Sequence, residues 1–174
     1  MDLEERSRFE RATLPHLDAA YNLARWLTLD EHAAEDVVQE AFCRAAKFFA
    51  GFRGSDGRTW LLAVVRRAAY DWLAKRQAWA AAASFDEEVH GRTDDSQDPE
   101  HLAIREADLQ LLRQALEELP PEFREAVVLR ELEGLSYQQI AAVIEVPVGT
   151  VMSRLSRARK QLQRRLAPCP GGED

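Results

Sequence analysis

Six basic residues and no acidic one lie between Val146 and Leu166: Arg154, Arg157, Arg159, Lys160, Arg164 and Arg165. The stretch before them, Glu100–Glu145, holds ten acids against four arginines. The helix dipole favours cations near a C-terminus, which accounts for Arg164 and Arg165 but not for arginines in mid-helix. A guanidinium grips guanine through two hydrogen bonds or clamps a phosphate, so this stretch has the chemistry to read DNA. A solvated basic helix is the alternative. A second set mixes cations with rings: Arg58, Trp60, Arg66, Arg67, Tyr70, Lys75, Arg76 and Trp79. Such interleaving suits single-stranded nucleic acid, because cations follow phosphates while flat rings stack on unpaired bases. Here the alternative is structural, with Trp60 and Trp72 in a core and Tyr70 a half-buried ring.

Catalytic chemistry has no comparable signal. No His/Cys/carboxylate cluster or Ser-His-Asp arrangement stands out, and GFRGSDG (51–57) lacks a following Gly-Lys-Ser/Thr. His90 and His101 have no ligand-spaced partners. Cys43 and Cys169 have no companion CxxC or HxxxH, which argues against structural zinc. Cys43 is expected to be a small core residue and Cys169 to sit in the tail. No enzyme activity, metal, cofactor or small-molecule substrate is expected.

The elements that must position these residues follow from capping and periodicity. Ser136 and Gln139 form an S-x-x-Q capping box at a helix start, and Ile140, Ala141 and Ile144 give that helix an apolar face. Pro147 ends it, and a longer helix runs on from Val148 with Val151, Leu155, Ala158 and Leu162 inward. The unit is a helix-turn-helix. Upstream, Leu3–Phe49 reads as helical, with Leu14, Leu17, Tyr21 and Ala24 on one face and Pro15 in a first turn. Asp30 caps a new helix with Val38, Ala41, Phe42, Ala45, Phe48 and Phe49 inward. Glu31, Glu35, Asp36, Gln39 and Glu40 lie on its polar side, which by residue type alone reads as a solvated face. After a turn with Ser55 or Asp56 as cap, a helix from about Arg58 to Ala82 places Leu61, Val64, Val65, Ala68 and Trp72 inward. Ser84–Glu100, with seven acids and one arginine, reads as a linker. Asp98 and Pro99 then start a helix lined by Leu102, Leu109, Leu112 and Leu116, and Leu119-Pro120-Pro121 turns into another carrying Phe123, Val127 and Leu132.

The chain of 174 residues has a net charge of −7, the wrong sign for a nonspecific nucleic-acid coat. Any DNA contact must use local basic patches, and the acidic remainder repels DNA or meets a protein. The charged start, MDLEERSRFERATL, is not expected to be a signal peptide, and no apolar run is long enough to span a membrane. A cytoplasmic location without direct membrane insertion is expected.

Taken together, AEDVVQEAF (Ala34–Phe42), FRGSDGRTWLLAVVRRAAYDWL (Phe52–Leu73) and LPPEFREAVVLRELEGLSYQQIAAVIEVPVGTVMSRLSRARKQL (Leu119–Leu162) resemble a bacterial extracytoplasmic-function (ECF) sigma factor over essentially the whole chain. The PxGTVxSRLxRAR run is the most specific part. The resemblance implies an all-α fold of two small helical domains joined by a flexible acidic linker. Residues 1–83 would be sigma region 2, 84–98 the linker, 99–167 sigma region 4 and 168–174 a tail. It implies a specificity subunit that binds core RNA polymerase at the clamp helices of the β′ subunit and reads the −10 and −35 promoter elements. An anti-sigma factor is an expected partner.

By the same resemblance Glu35, Asp36, Gln39 and Glu40 would dock on polymerase. Phe52, Arg53, Trp60, Arg66, Arg67 and Tyr70 would serve the −10 strand. Thr150, Met152, Ser153, Ser156, Arg157 and Arg159 would face the −35 duplex, with helix N-terminal amides around Gly149 and Thr150 on a phosphate. The chain departs from the family pattern at Met152, where Lys or Arg is common, at Arg67, where Asn is common, and at Glu145, often Gly. A stand-alone dimeric helix-turn-helix regulator is the rival reading.

Overall fold

The computed structural model describes residues 2–82 and 102–167, with side chains of the second segment from 107 onward. The acidic linker, the Asp98–Pro99 helix start, His90, His101 and the tail with Cys169 lie outside the described residues. No strand occurs among the described residues, and the helices form two domains.

The first domain is built from α1 (Leu3–Thr13), α2 (Leu17–Thr28), α3 (Glu31–Phe48) and α4 (Gly57–Ala82). Asp2 caps α1 through the Glu5 amide, and Asp30 caps α3 through the Ala33 amide at 2.9 Å. The expected face on Leu14, Leu17, Tyr21 and Ala24 does not form. Pro15 sits in a 3-10 turn (Leu14–His16), so the helical phase restarts at Leu17, and Leu14 and Leu17 are exposed. The buried face of α2 is instead Ala20, Leu23, Ala24 and Leu27, an i, i+3, i+4, i+7 set. On α3, Val38, Ala41 and Ala45 are buried as expected, whereas Phe48 points outward under Lys47 and Cys43 is exposed.

The second domain holds α5 (Leu102–Glu117), α6 (Pro121–Val127), a π-turn (Val128–Leu132), α7 (Tyr137–Ile144) and α8 (Val148–Leu166). The Ser136–Gln139 capping box is present in both directions, at 3.1 and 3.0 Å. Val151, Leu155 and Ala158 are buried as the periodicity requires. Helix α5 meets α8 through its C-terminal half, where Ala115 and Leu116 are buried, so Leu109 and Leu112 stay exposed. Leu132, at the end of the π-turn, is exposed as well; Leu129 takes the core position.

Buried apolar side chains of the two domains form one continuous cluster. Helices α2 and α4 of the first domain pack against α6, α7 and the π-turn of the second. Helix α4 is therefore buried on more than one side, with Leu62 and Ala69 as enclosed as Leu61 and Val65.

Gly57 fixes where α4 begins, because α1 passes directly over it. A Cβ there would drive into the carbonyl oxygen of Ala12, a backbone atom that cannot swing away. Gly57→Ala should lower stability by about 1–3 kcal/mol, the usual cost of overpacking. Urea denaturation of the two proteins gives the difference, and an unchanged midpoint would contradict this close approach.

Candidate nucleic-acid and polymerase interfaces

Helix α8 presents four of the six residues expected to face DNA along one side. Val151, Leu155 and Ala158 anchor it inward, so Met152, Ser153, Ser156 and Arg157 face outward and are exposed. Arg159 is exposed on an adjacent side and pairs with Glu131 at 2.9 Å. Thr150 is half-buried, and its carbonyl accepts the Ser153 hydroxyl at 3.1 Å. The Thr150 amide donates to Pro147 O at 2.9 Å, which removes it from the pair of amides expected to hold a phosphate and leaves that part to Gly149. Arg154 turns away from this side, toward Glu125.

The polar face of α3 is exposed at Glu35, Asp36, Gln39 and Glu40. Glu40 accepts from Arg44 at 2.8 Å, and Arg44 also reaches Asp71 of α4 at 2.5 Å. The bond to Asp71, then that to Glu40, raises the Arg44 pKa. Beside this bridge runs a groove of about 310 Å³ between α3 and α4, floored by Val37, Ala68 and Trp72. Its rim is mixed in charge, with Asp36, Glu40 and Asp71 beside Arg44 and Lys75.

The residues expected to meet the −10 strand have less uniform surroundings. Phe52 and Trp60 stack on each other with centroids 4.8 Å apart, and Phe49 touches both, so their rings are partly covered. Arg53 is exposed in the loop. Arg66 lies over the Tyr70 ring at 4.5 Å, and its guanidinium donates twice to Glu125 of the second domain, at 2.7 and 3.1 Å. Burial works against the charge on Arg66, but the Glu125 bonds outweigh it and the pKa ends raised. Glu125 itself is fully buried, and burial pushes its carboxyl up despite Arg66 and, at 3.3 Å, Arg154. The Tyr70 hydroxyl is buried beside the same carboxylate, and burial first, then the Glu125 charge, push its pKa up.

Arg67, one of the departures from the family pattern, pairs with Glu145, another of them. Glu145 holds a left-handed backbone (φ 58°) at the C-terminus of α7, a conformation that costs a non-glycine residue about 1 kcal/mol. Arg58 donates to Glu133 at 2.7 Å, and Asn22 to the other oxygen at 2.6 Å. Buried Arg124 reaches back across the contact to the Trp26 carbonyl at 3.0 Å. The burial of Arg124 and Glu125 has no signature in helical periodicity, since α6 is only two turns long. Among the described residues no cluster of three or more His, Cys, Asp or Glu side chains could hold a metal ion.

Comparison with known proteins decides what this arrangement is. The Sigma-70 region 2 family model matches residues 14–80, and the Sigma-70, region 4 model matches 109–162. The ECF RNA polymerase sigma-E factor of Escherichia coli is 36% identical over 140 residues, 76% of this chain and 73% of that one. The chain belongs to the ECF sigma-factor family. The RNA polymerase sigma-H factor of Pseudomonas aeruginosa is 37% identical over 147 residues, 80% of this chain and 76% of that one. Among solved structures, the sigma factor RpoE in complex with the anti-sigma factor NepR from Bartonella quintana superposes with a TM-score of 0.72. It is 31% identical and covers 91% of this chain and 96% of its own. CnrH in complex with the cytosolic domain of CnrY gives 0.62 at 25% identity, over 92% and 88%. An ECF sigma factor is a transcription-initiation factor that works with RNA polymerase at promoters, so the stand-alone regulator is set aside. Among the described residues no helix is long and apolar enough to cross a membrane.

Asp56 ties this site together locally. It caps α4 through the Thr59 amide at 2.9 Å and also accepts from Gln139 of α7 at 3.0 Å. Desolvation raises its pKa, but the Thr59 and Gln139 bonds outweigh that and leave it lowered. A lowered folded-state pKa means that its contribution is complete above the ordinary value of 3.8 and fades as acid carries the pH through the lowered one. Asp56→Ala should cost about 1 kcal/mol at neutral pH. Urea titrations of both proteins should show that gap closing below pH 3.8; a gap that is constant with pH would contradict the charged cap.

Proposed function

We propose that the first domain, residues 1–83, binds core polymerase and captures the −10 strand, while residues 99–167 read the −35 duplex. What carries this reading is the outward row on α8, Met152, Ser153, Ser156 and Arg157, set on a helix whose opposite side is locked in the core. Arg157 either bridges two acceptors of a guanine or holds a phosphate, and Met152 supplies apolar contact where a cation is more usual. The Gly149 amide at the start of α8 fixes register on the backbone. Glu35, Asp36, Gln39 and Glu40 dock on the β′ clamp helices, with the α3–α4 groove beside them.

On α4, cations and rings then hold non-template bases as they unstack, at a cost of a few kcal/mol per extruded base that stacking and charge contacts offset. All of this is binding work, without a bond made or broken by the protein. An anti-sigma factor, the partner named for the Bartonella quintana structure, would hold the chain inactive by covering the acidic α3 face.

Run-off transcription with purified core polymerase and a promoter library tests the reading. Selective initiation is expected, and Arg157→Ala should reduce it about 10- to 100-fold, the worth of one bidentate base contact. Undiminished initiation would remove α8 from promoter reading. Asp36→Lys should weaken binding to core on the order of 100-fold, since a like charge placed at an interface costs several kcal/mol. Core binding is measured by competition in gel filtration, and unchanged affinity would exclude the α3 face as the dock.

A further inference from the structure

We propose that Met152 is a specificity-determining residue for the −35 element: its thioether side chain packs on the 5-methyl group of a thymine about two base-pair steps from a guanine gripped by Arg157. The inference rests on the reading of α8 as the −35 helix.

Met152 is 54% exposed, and buried Val151 and Leu155 fix the direction in which it points. A single apolar side chain on a surface is ordinary; what distinguishes this one is its company. Ser153 and Arg157 share its outward row, and α8 carries no acid that would repel nucleic acid. In the major groove the thymine methyl is the apolar group on a base edge, while guanine shows two acceptors and adenine or cytosine an amino group. A thioether cannot donate to guanine, but its flexible, polarisable chain suits a methyl group. The side chains next to it supply no donor either. Arg154 is turned to Glu125 at 3.3 Å, and Ser153 gives its hydroxyl proton to the Thr150 carbonyl at 3.1 Å. Ser153 therefore meets the groove as an acceptor, which fits an amino group and not the N7 and O6 of guanine. A methyl and an adjacent amino group are what the two edges of a T·A pair present.

Arg157 supplies the donors that Met152 lacks. Arg154, Arg159 and Arg165 are paired with Glu125, Glu131 and Glu118, whereas no carboxylate among the described residues pairs with Arg157. Its guanidinium is open to the two acceptors of a guanine. The helical rise separates it from Met152 by about 7.5 Å, roughly two base-pair steps.

The test is run-off transcription by the full chain with core polymerase. A promoter pool randomised across the −35 element gives the preferred sequence, and each thymine on either strand is then replaced singly by deoxyuridine. That change deletes the methyl and keeps the pairing. At limiting holoenzyme, replacement at one position near a preferred guanine should lower initiation about four-fold, the worth of one buried methyl group. Met152→Ala should lower initiation from the thymine template by a similar factor and abolish the difference between thymine and uracil. Met152→Arg should move the preference at that position from thymine to guanine. Arg157→Ala should erase the guanine preference and keep the response to uracil.

A preferred element without thymine would overturn the proposal, as would no response to uracil at any thymine or a response that survives Met152→Ala. If Arg157→Ala still erases the guanine preference, each of these results removes Met152 alone and leaves α8 as the reader. A preferred sequence unchanged by Arg157→Ala would place the fault in the reading of α8, and the proposal would fall with it.

Discussion

A carboxylate with no solvent exposure must be answered by cations, and Glu125 is answered from two directions at once. Arg154 comes from its own domain, at 3.3 Å, and Arg66 from the other, at 2.7 Å. Burying a charge costs several kcal/mol unless partners and hydrogen bonds repay it, and removing one partner leaves that cost exposed. Arg154 is the poorer partner by distance. The packing of the second domain on α4 is thus the arrangement in which Glu125 is best satisfied, and it brings Glu133, Glu145 and Gln139 against Arg58, Arg67 and Asp56. Two of these flanking pairs are exposed contacts, each worth little alone. The directional strength sits at the buried centre.

This constraint gives α4 two occupations. Its apolar residues Leu61, Val65 and Ala68 belong to the first domain in any state. Its guanidinium groups at Arg58, Arg66 and Arg67 serve the second domain through Glu133, Glu125 and Glu145. The other two surfaces are different. The α3 face and the outward side of α8 remain open while the domains are closed. Those two surfaces are accessible to a partner without any change in how the domains pack.

Much of this was legible in the sequence where the forces are local. The Ser136–Gln139 box, the Asp30 cap and the Pro147 break are all set within four residues and are present as read, and of the two caps left open for α4, Ser55 or Asp56, Asp56 is the one used. Periodicity also gave the core side of α8 at Val151, Leu155 and Ala158, and the family resemblance its outward row. Phase across an irregular joint was not legible. The 3-10 turn at Pro15 resets α2, which put Leu14 and Leu17 outside. At α5, periodicity named Leu109 and Leu112 as core, but among the described side chains of that helix Ala115 and Leu116 are the enclosed ones. Cys43, expected in the core, lies exposed on α3. Least legible was the ion-pair set between domains. Its partners are 59, 75 and 78 residues apart, and no spacing rule links them. The positions of Arg67 and Glu145 had each looked anomalous against the family pattern; the structure places them in contact.

The most direct test of the central claim is the distance between the domains with and without polymerase. Spin labels on native Cys43 of α3 and on Lys160→Cys of α8, in a Cys169→Ser background, report it by pulsed dipolar spectroscopy. The account predicts one short, narrow distance distribution in the free chain, replaced by a longer one on binding core polymerase. A broad distribution in the free chain, or the same short distance in both states, would contradict it.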